Sequence, residues 1–155
     1  MAHPVMAYPV DVVLRVVPQR YPMLMIDRIL DHEYGRRAVC QKNVTLGEEV
    51  LSGHFPGNPL FPGVLMIEMG LQATQVMLTE LEGAAGAAAE APPRQGYLLG
   101  VSDFRFRKTV RPGDVLRVES VLLQELGGMR KARITIRGDD EQEVCSGTVT
   151  VGEAR

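Results

Sequence analysis

What most constrains this 155-residue chain is an apolar helix fed by a loop that can be neither helix nor central strand. Residues 53–63, GHFPGNPLFPG, hold three prolines and three glycines, and so much backbone punctuation leaves an ordered loop as the economical conformation. Residues 64–81 then carry strong helix formers, with Glu68, Gln72, Gln75 and Thr79 at i, i+4, i+7 and i+11. Those four make one narrow polar stripe. The other faces are apolar nearly all round, so the helix has to be buried on most sides rather than laid on a surface.

The last third of the chain supplies something to bury it. Residues 97–110, 115–124, 129–137 and 144–151 alternate with a strand period, most clearly Ala132, Ile134 and Ile136 against Arg133, Thr135 and Arg137. Pro112-Gly113, Gly127-Gly128 and Gly138-Asp139-Asp140 supply the turns, which predicts successive strands paired antiparallel as a meander. Upstream, residues 11–17 form a short amphipathic helix stopped by Pro18, and residues 23–30 and 36–46 are strands separated by Gly35. One long buried helix wrapped by an antiparallel sheet is an α+β fold. With 45% hydrophobic and 23% charged residues, residues 1–155 read as one domain whose core needs no metal or disulfide. Residues 83–95, GAAGAAAEAPPRQ, read as a flexible linker with no assigned function.

Several function classes are disfavoured. Cys40 and Cys145 lack the paired spacing of a zinc site or redox dithiol, so both are expected to be reduced thiols. The opening MAHPVMAYPV lacks the basic and apolar regions of a signal peptide, and no apolar run approaches the roughly 20 residues that span a bilayer; the expected compartment is the cytoplasm, without membrane contact. A net charge of −2 gives no global attraction to nucleic acid, although local basic clusters exist: Arg105, Arg107, Lys108 and Arg111, then Arg130, Lys131 and Arg133. No nucleic-acid motif or aromatic interleaving accompanies them, and nucleic-acid binding is not expected.

Of the three histidines, His54 is the one set in a rigid apolar loop, where a base of fixed orientation belongs; a lone loop histidine is also a common structural residue. Glu68 tips the balance. A carboxylate in the first turns of a buried apolar helix loses solvation when ionised, which favours holding a proton for donation near neutral pH. A glutamate there also has two ordinary explanations, attraction to the positive helix end and pairing with an arginine. A base with a nearby acid suits elimination of water, one taking a proton alpha to a thioester carbonyl and the other protonating the departing hydroxyl. Pro62-Gly63 leaves backbone N–H groups at the positive helix end for the developing enolate oxygen, and glycine admits close approach.

The blocks RYPMLMIDRIL, GHFPGNPLFPGVLMIEMGLQ and YLLGVSDFRFRKTVRPGD resemble the three signature blocks of the FabZ-type (3R)-hydroxyacyl-acyl-carrier-protein dehydratases, over about residues 18–151. The resemblance implies the hotdog fold and the hydro-lyase reaction that turns (3R)-3-hydroxyacyl chains into trans-2-enoyl chains in fatty acid or related polyketide elongation. It implies His54 as base, the Gly63 amide as oxyanion donor, Glu68 as general acid and Gln72 as its hydrogen-bonding support. Phe55 and Pro62 of the same block are carried over as substrate-binding candidates. FabA-type relatives, which also isomerise the double bond, carry aspartate where this chain has Glu68, so dehydration alone is expected. Tyr97 matches the family's tunnel-gating tyrosine. The implied partners are an acyl carrier protein, whose phosphopantetheine carries the substrate with no separate cofactor or metal, and further subunits as a homodimer, a dimer-based oligomer or a heterodimer. Arg105, Arg107 and Lys108 are the candidate docking residues for the acidic carrier.

Four departures stand out. Gln19 occupies the place where the family commonly has histidine, Leu98 replaces the usual aromatic after the tyrosine, the linker at 83–95 is longer than usual, and Gly70 replaces a large side chain within the helix. Glycine inside a helix costs about 1 kcal/mol relative to alanine, which suggests that space is wanted there, as in a wider acyl tunnel. The eight methionines either fill the core or line such a tunnel. A dehydratase dedicated to a polyene or other specialised polyketide remains an alternative, as does a hotdog thioesterase, which would hydrolyse the same thioester.

Overall fold

The computed structural model describes residues 7–81 and 93–153. Most of the 83–95 linker, and the first six residues, lie outside them. The first element is α1 (Val10–Val16), which ends before Pro18 as expected, with Val17 already extended. β1 (Arg28–Glu33) and β2 (Arg37–Asn43) follow as a hairpin, turning at Gly35 with φ of +68°. This β1 lies later than the expected 23–30, because residues 23–25 give their backbone groups to a helix side chain instead of to a strand. A four-residue helix, α2 (Val50–Gly53), leads into the punctuated loop.

The long helix α3 runs Gly63–Met77, four residues short of the expected end at Leu81. Its last carbonyls are claimed from outside: Gly35 N–H donates to Met77 O at 2.8 Å, and His32 Nε2 lies 3.1 Å from Val76 O. With these groups satisfied by the β1–β2 hairpin, another helical turn is not needed.

The remaining strands are β3 (Gly96–Phe106), β4 (Val115–Leu126), β5 (Met129–Arg137) and β6 (Glu143–Glu153). They join β1 and β2 in one antiparallel sheet of order β1-β2-β4-β5-β6-β3. The meander holds for β4 to β6. β3 departs from it, pairing with β6 at the sheet's end while β2 takes the place beside β4. That exchange lets the sheet curl round α3, whose Met66, Met69, Ala73, Val76 and Met77 are buried against Ala38, Cys40, Leu116, Val118, Ile134 and Ile136. The alternation read at Ala132, Ile134 and Ile136 is the inner face of β5, all three fully buried. Burial pushes the Cys40 and Cys145 thiols up to about 12, so both are protonated core groups. Among the described residues no helix is long and apolar enough to cross a membrane.

The sheet does not cover α3 alone. Val12, Val13, Val16, Val17, Met25 and Ile26 join the same core, so the chain's own amino-terminal segment closes over the side of the helix that carries the polar stripe.

Candidate active site

The punctuated loop is held at every turn. His54 N–H donates to Val50 O at 3.2 Å, Leu60 N–H to His54 O at 2.8 Å, and Phe55 and Asn58 exchange both backbone bonds around Gly57, whose φ of +71° suits only glycine without strain. Phe61 N–H donates to Val110 O at 2.8 Å, and Arg111 Nη1 to Asn58 Oδ1 at 3.0 Å, so the segment after β3 braces the loop. The His54–Phe55 peptide is cis.

This frame sets the histidine's tautomer. His54 Nδ1 lies 2.7 Å from Leu60 O, and a carbonyl only accepts, so Nδ1 carries the hydrogen and the neutral ring keeps its lone pair on Nε2. The ring is half-buried and stacks on Phe55 with centroids 4.0 Å apart. Phe55 therefore acts first on the histidine.

Pro62 is the buried N-cap of α3, with φ −63° and ψ 134°, and its carbonyl accepts from Leu65 and Met66. Among the described residues no side chain caps the helix and the amides of Gly63 and Val64 have no acceptor, and the first turn holds no acidic residue. The positive helix end is thus unspent. A Cβ at Gly63 would lie 3.0 Å from the Phe106 ring, so glycine is what allows that half-exposed ring over the helix start.

Glu68 sits beyond the first helical turn. Its Oε1 accepts from Gln72 Nε2 at 3.0 Å and from Gln19 Nε2 at 2.9 Å, and no arginine pairs with it among the described residues. Glu68 thus lies past the first turn, where attraction to the positive helix end fades, and has no arginine partner among the described residues, so neither ordinary explanation for a glutamate here accounts for it. Gln72 is fully buried and pinned from both ends, accepting from Met25 N–H at 2.8 Å and donating to Met23 O at 2.7 Å. With Oε1 committed to two amides, the proton of the acid form belongs on Oε2.

Glu68 and Tyr97 line one cavity of about 280 Å³, together with Gln19, Leu71, Leu78 and Leu98. His54, Phe55, Pro62 and Gly63 are not in its wall. They gather at the amino-terminal end of α3, outside the pocket that holds the acid. The loop-helix unit thus carries the two candidate groups in separate places, Glu68 in the cavity wall and His54 outside it.

One expectation needs correction. Gly70 makes no tunnel space: a Cβ there would lie 2.7 Å from Ile134 Cγ2 and 3.0 Å from its Cγ1. The glycine exists because α3 lies directly against β5, and it faces the core. Two of the three candidate docking residues are engaged in exposed ion pairs. Arg107 is paired with Glu143 at 2.9 Å and Lys108 with Asp140 at 2.5 Å, while Arg105 is exposed with no ion pair among the described residues. The Lys108 ammonium holds the Asp140 carboxyl below its usual range. Sequence reasoning also passed over Gln19 as a contact of Glu68. Its only signal was the departure from the family's histidine.

Comparison with known proteins agrees with this architecture. A family model described as a FabA-like domain matches residues 17–147. The 3-hydroxyacyl-[acyl-carrier-protein] dehydratase FabZ of Caldicellulosiruptor saccharolyticus is 40% identical over 140 residues, spanning 90% of this chain and 94% of that protein. The protein of the same name from Ligilactobacillus salivarius is 41% identical over 138 residues, 88% of this chain and 91% of its own. The dehydratase heterocomplex ApeI:P from Xenorhabdus doucetiae superposes with a TM-score of 0.72 at 22% identity, covering 96% of this chain and 92% of that one. A hypothetical thioesterase from Streptococcus pneumoniae, solved with coenzyme A, has a TM-score of 0.58 at 16% identity, covering 82% and 87%. At such identities the two structures speak for the shared fold alone. The match across residues 17–147, with relatives near 40% identical along almost the whole chain, places this protein in the FabA-like family of hotdog-fold proteins.

Proposed function

We propose that this chain is a 3-hydroxyacyl-[acyl-carrier-protein] dehydratase, removing water from (3R)-3-hydroxyacyl chains to give trans-2-enoyl chains in fatty acid biosynthesis. The observation that carries the reading is the opposite preparation of its two titratable groups. His54 has its Nδ1 hydrogen committed to Leu60 O, which leaves Nε2 as its acceptor, and Glu68 has Oε1 held by two amides, which leaves Oε2 as the oxygen for exchange with substrate. His54 takes the proton alpha to the thioester carbonyl, Glu68 protonates the departing hydroxyl, and the Gly63 amide at the positive end of α3 receives the carbonyl oxygen as charge develops. The cavity beyond Glu68, past Leu71, Leu78 and Leu98, is the acyl tunnel, with Tyr97 at its wall.

In this reading the complete site takes one half from each of two subunits. β3 ends the sheet and is exposed along its length, with Tyr97, Leu98, Leu99 and Val101 each 45–54% exposed, an apolar edge that strand pairing with a second copy would cover. The acyl chain arrives on the phosphopantetheine of an acidic carrier protein, for which Arg105 is the contact most readily available. The cytoplasm is the compartment we assign.

Incubating the protein with 3-hydroxyacyl-carrier substrates of several lengths and weighing the products tests the reaction class. Loss of water is the expected result. Loss of the whole acyl group would instead make it a thioesterase and overturn the proposal.

A further inference from the structure

The acid is held by two amides, and one of them has a hydrogen-bonding group left over. Gln19 Nε2 donates to Glu68 Oε1 at 2.9 Å, while Gln19 Oε1 is a buried oxygen with no hydrogen-bond partner among the described residues. The orientation is not interchangeable. Turning the amide over would set its carbonyl oxygen against the carboxyl oxygen that Gln72 already occupies, exchanging an attraction for a repulsion. An orphaned buried acceptor costs stability, so one placed beside the acid calls for an explanation.

The backbone under Gln19 is fixed. Pro18 restricts the residue before it, and the Arg20 guanidinium donates to Val17 O at 2.7 Å, Gln19 O at 2.8 Å and Leu14 O at 2.6 Å, tying residues 14–20 together where α1 ends. Gln19 and Glu68 both line the cavity. The side chain is delivered to the acid by a braced turn from a distant part of the chain.

Resting on the dehydratase reading above, we propose that Gln19 is a positioning residue for Glu68 and that its Oε1 receives the hydrogen of the substrate's own 3-hydroxyl. A hydroxyl beside Glu68 has two needs: its oxygen must accept the proton from Oε2, and its hydrogen must point elsewhere. Gln19 Oε1 supplies the second. As the C2–H bond breaks, its proton passes to His54 Nε2 and its electrons form the C2–C3 double bond. The C3–O bond breaks, its electron pair goes to oxygen, and oxygen takes the Glu68 proton to leave as water. Gln19 exchanges no proton. It aims the hydroxyl's lone pair at the acid and holds the nascent water.

This also explains why histidine is a natural substitute here. A neutral imidazole, like a primary amide, offers one N–H and one lone pair, so either residue can donate to Glu68 while accepting from the hydroxyl. The test compares the intact protein with Gln19→Met, which keeps the volume and loses both groups, and with Gln19→His. Dehydration of 3-hydroxybutyryl and 3-hydroxydecanoyl pantetheine thioesters is followed by enoyl absorbance, together with hydration of the enoyl thioesters and thermal melting. Gln19→Met should lower kcat by about 10- to 100-fold in both directions with KM changed less than about twofold, and Gln19→His should recover most of that loss. Unchanged kcat in Gln19→Met, or an equal loss in Gln19→His, overturns the role. Failure of the unmodified protein to form enoyl product would instead overturn the dehydratase reading itself.

Discussion

At the residue scale, Glu68 and Gly70 stand two positions apart on α3 and face different worlds. Glu68 turns toward the cavity, held through one oxygen by Gln19 and Gln72. Glu68→Gln keeps shape and volume, so melting should hardly change, while turnover should fall by a factor on the order of 100 or more because the proton donor is gone. Near-normal turnover would remove Glu68 from the mechanism. Gly70 turns into the core. Gly70→Leu forces a side chain against Ile134 and should destabilise the fold by about 1–3 kcal/mol or more, read as a lower midpoint in urea, with no preference between short and long acyl substrates per folded molecule. A loss confined to long chains with stability intact would restore the tunnel role that the bare sequence suggested.

At the element scale, the end of β3 carries the charge question. Its exit is tied to β6 and the turn before it by Arg107–Glu143 and Lys108–Asp140, which leaves Arg105 as the one of the three candidate docking residues without an ion pair among the described residues. Arg105→Glu should raise KM for carrier-bound substrate at least about fivefold at low salt, with little change for the corresponding pantetheine thioester, since only the carrier brings an opposing charge. Equal effects on both substrates would mean that β3 is not where the carrier docks. The neighbouring pairs act on stability instead. Because Lys108 holds Asp140 below the ordinary carboxylate range, the contribution of that pair is present above that range and is lost as the pH falls through the depressed value.

At the scale of the whole molecule, the separation of His54 from the cavity of Glu68 leads to a complementation experiment. His54→Ala and Glu68→Gln chains should each be inactive alone, yet a dimer of one of each holds one intact site and one empty of both groups. Random re-association makes about half the dimers mixed, so co-refolded chains should recover roughly a quarter of the unmodified activity. No recovery, with mixed dimers confirmed by native mass spectrometry, would place both groups in one subunit's site.

Periodicity and punctuation alone determined the helix, the strands β4 to β6 and the ordered loop, because a repeat of 3.6 or 2 and a run of prolines and glycines act within a few residues of themselves. His54 and Glu68 could be named as candidates for the same reason: residue type, rigid loop and apolar helix are all local. What the tertiary structure decided were relations across long separations. Gln72 draws the backbone of residues 23–25 away from strand pairing, the β1–β2 hairpin ends α3 at Met77, β3 pairs with β6 rather than β4, and Ile134 rather than an acyl chain fills the space beside Gly70. Gln19 belongs with these, since a glutamine after a proline has no evident task until folding carries it across 49 positions to the carboxyl of Glu68. Each of these outcomes is a competition for hydrogen bonds or volume between distant segments, and a linear sequence displays the competitors without showing which of them meet.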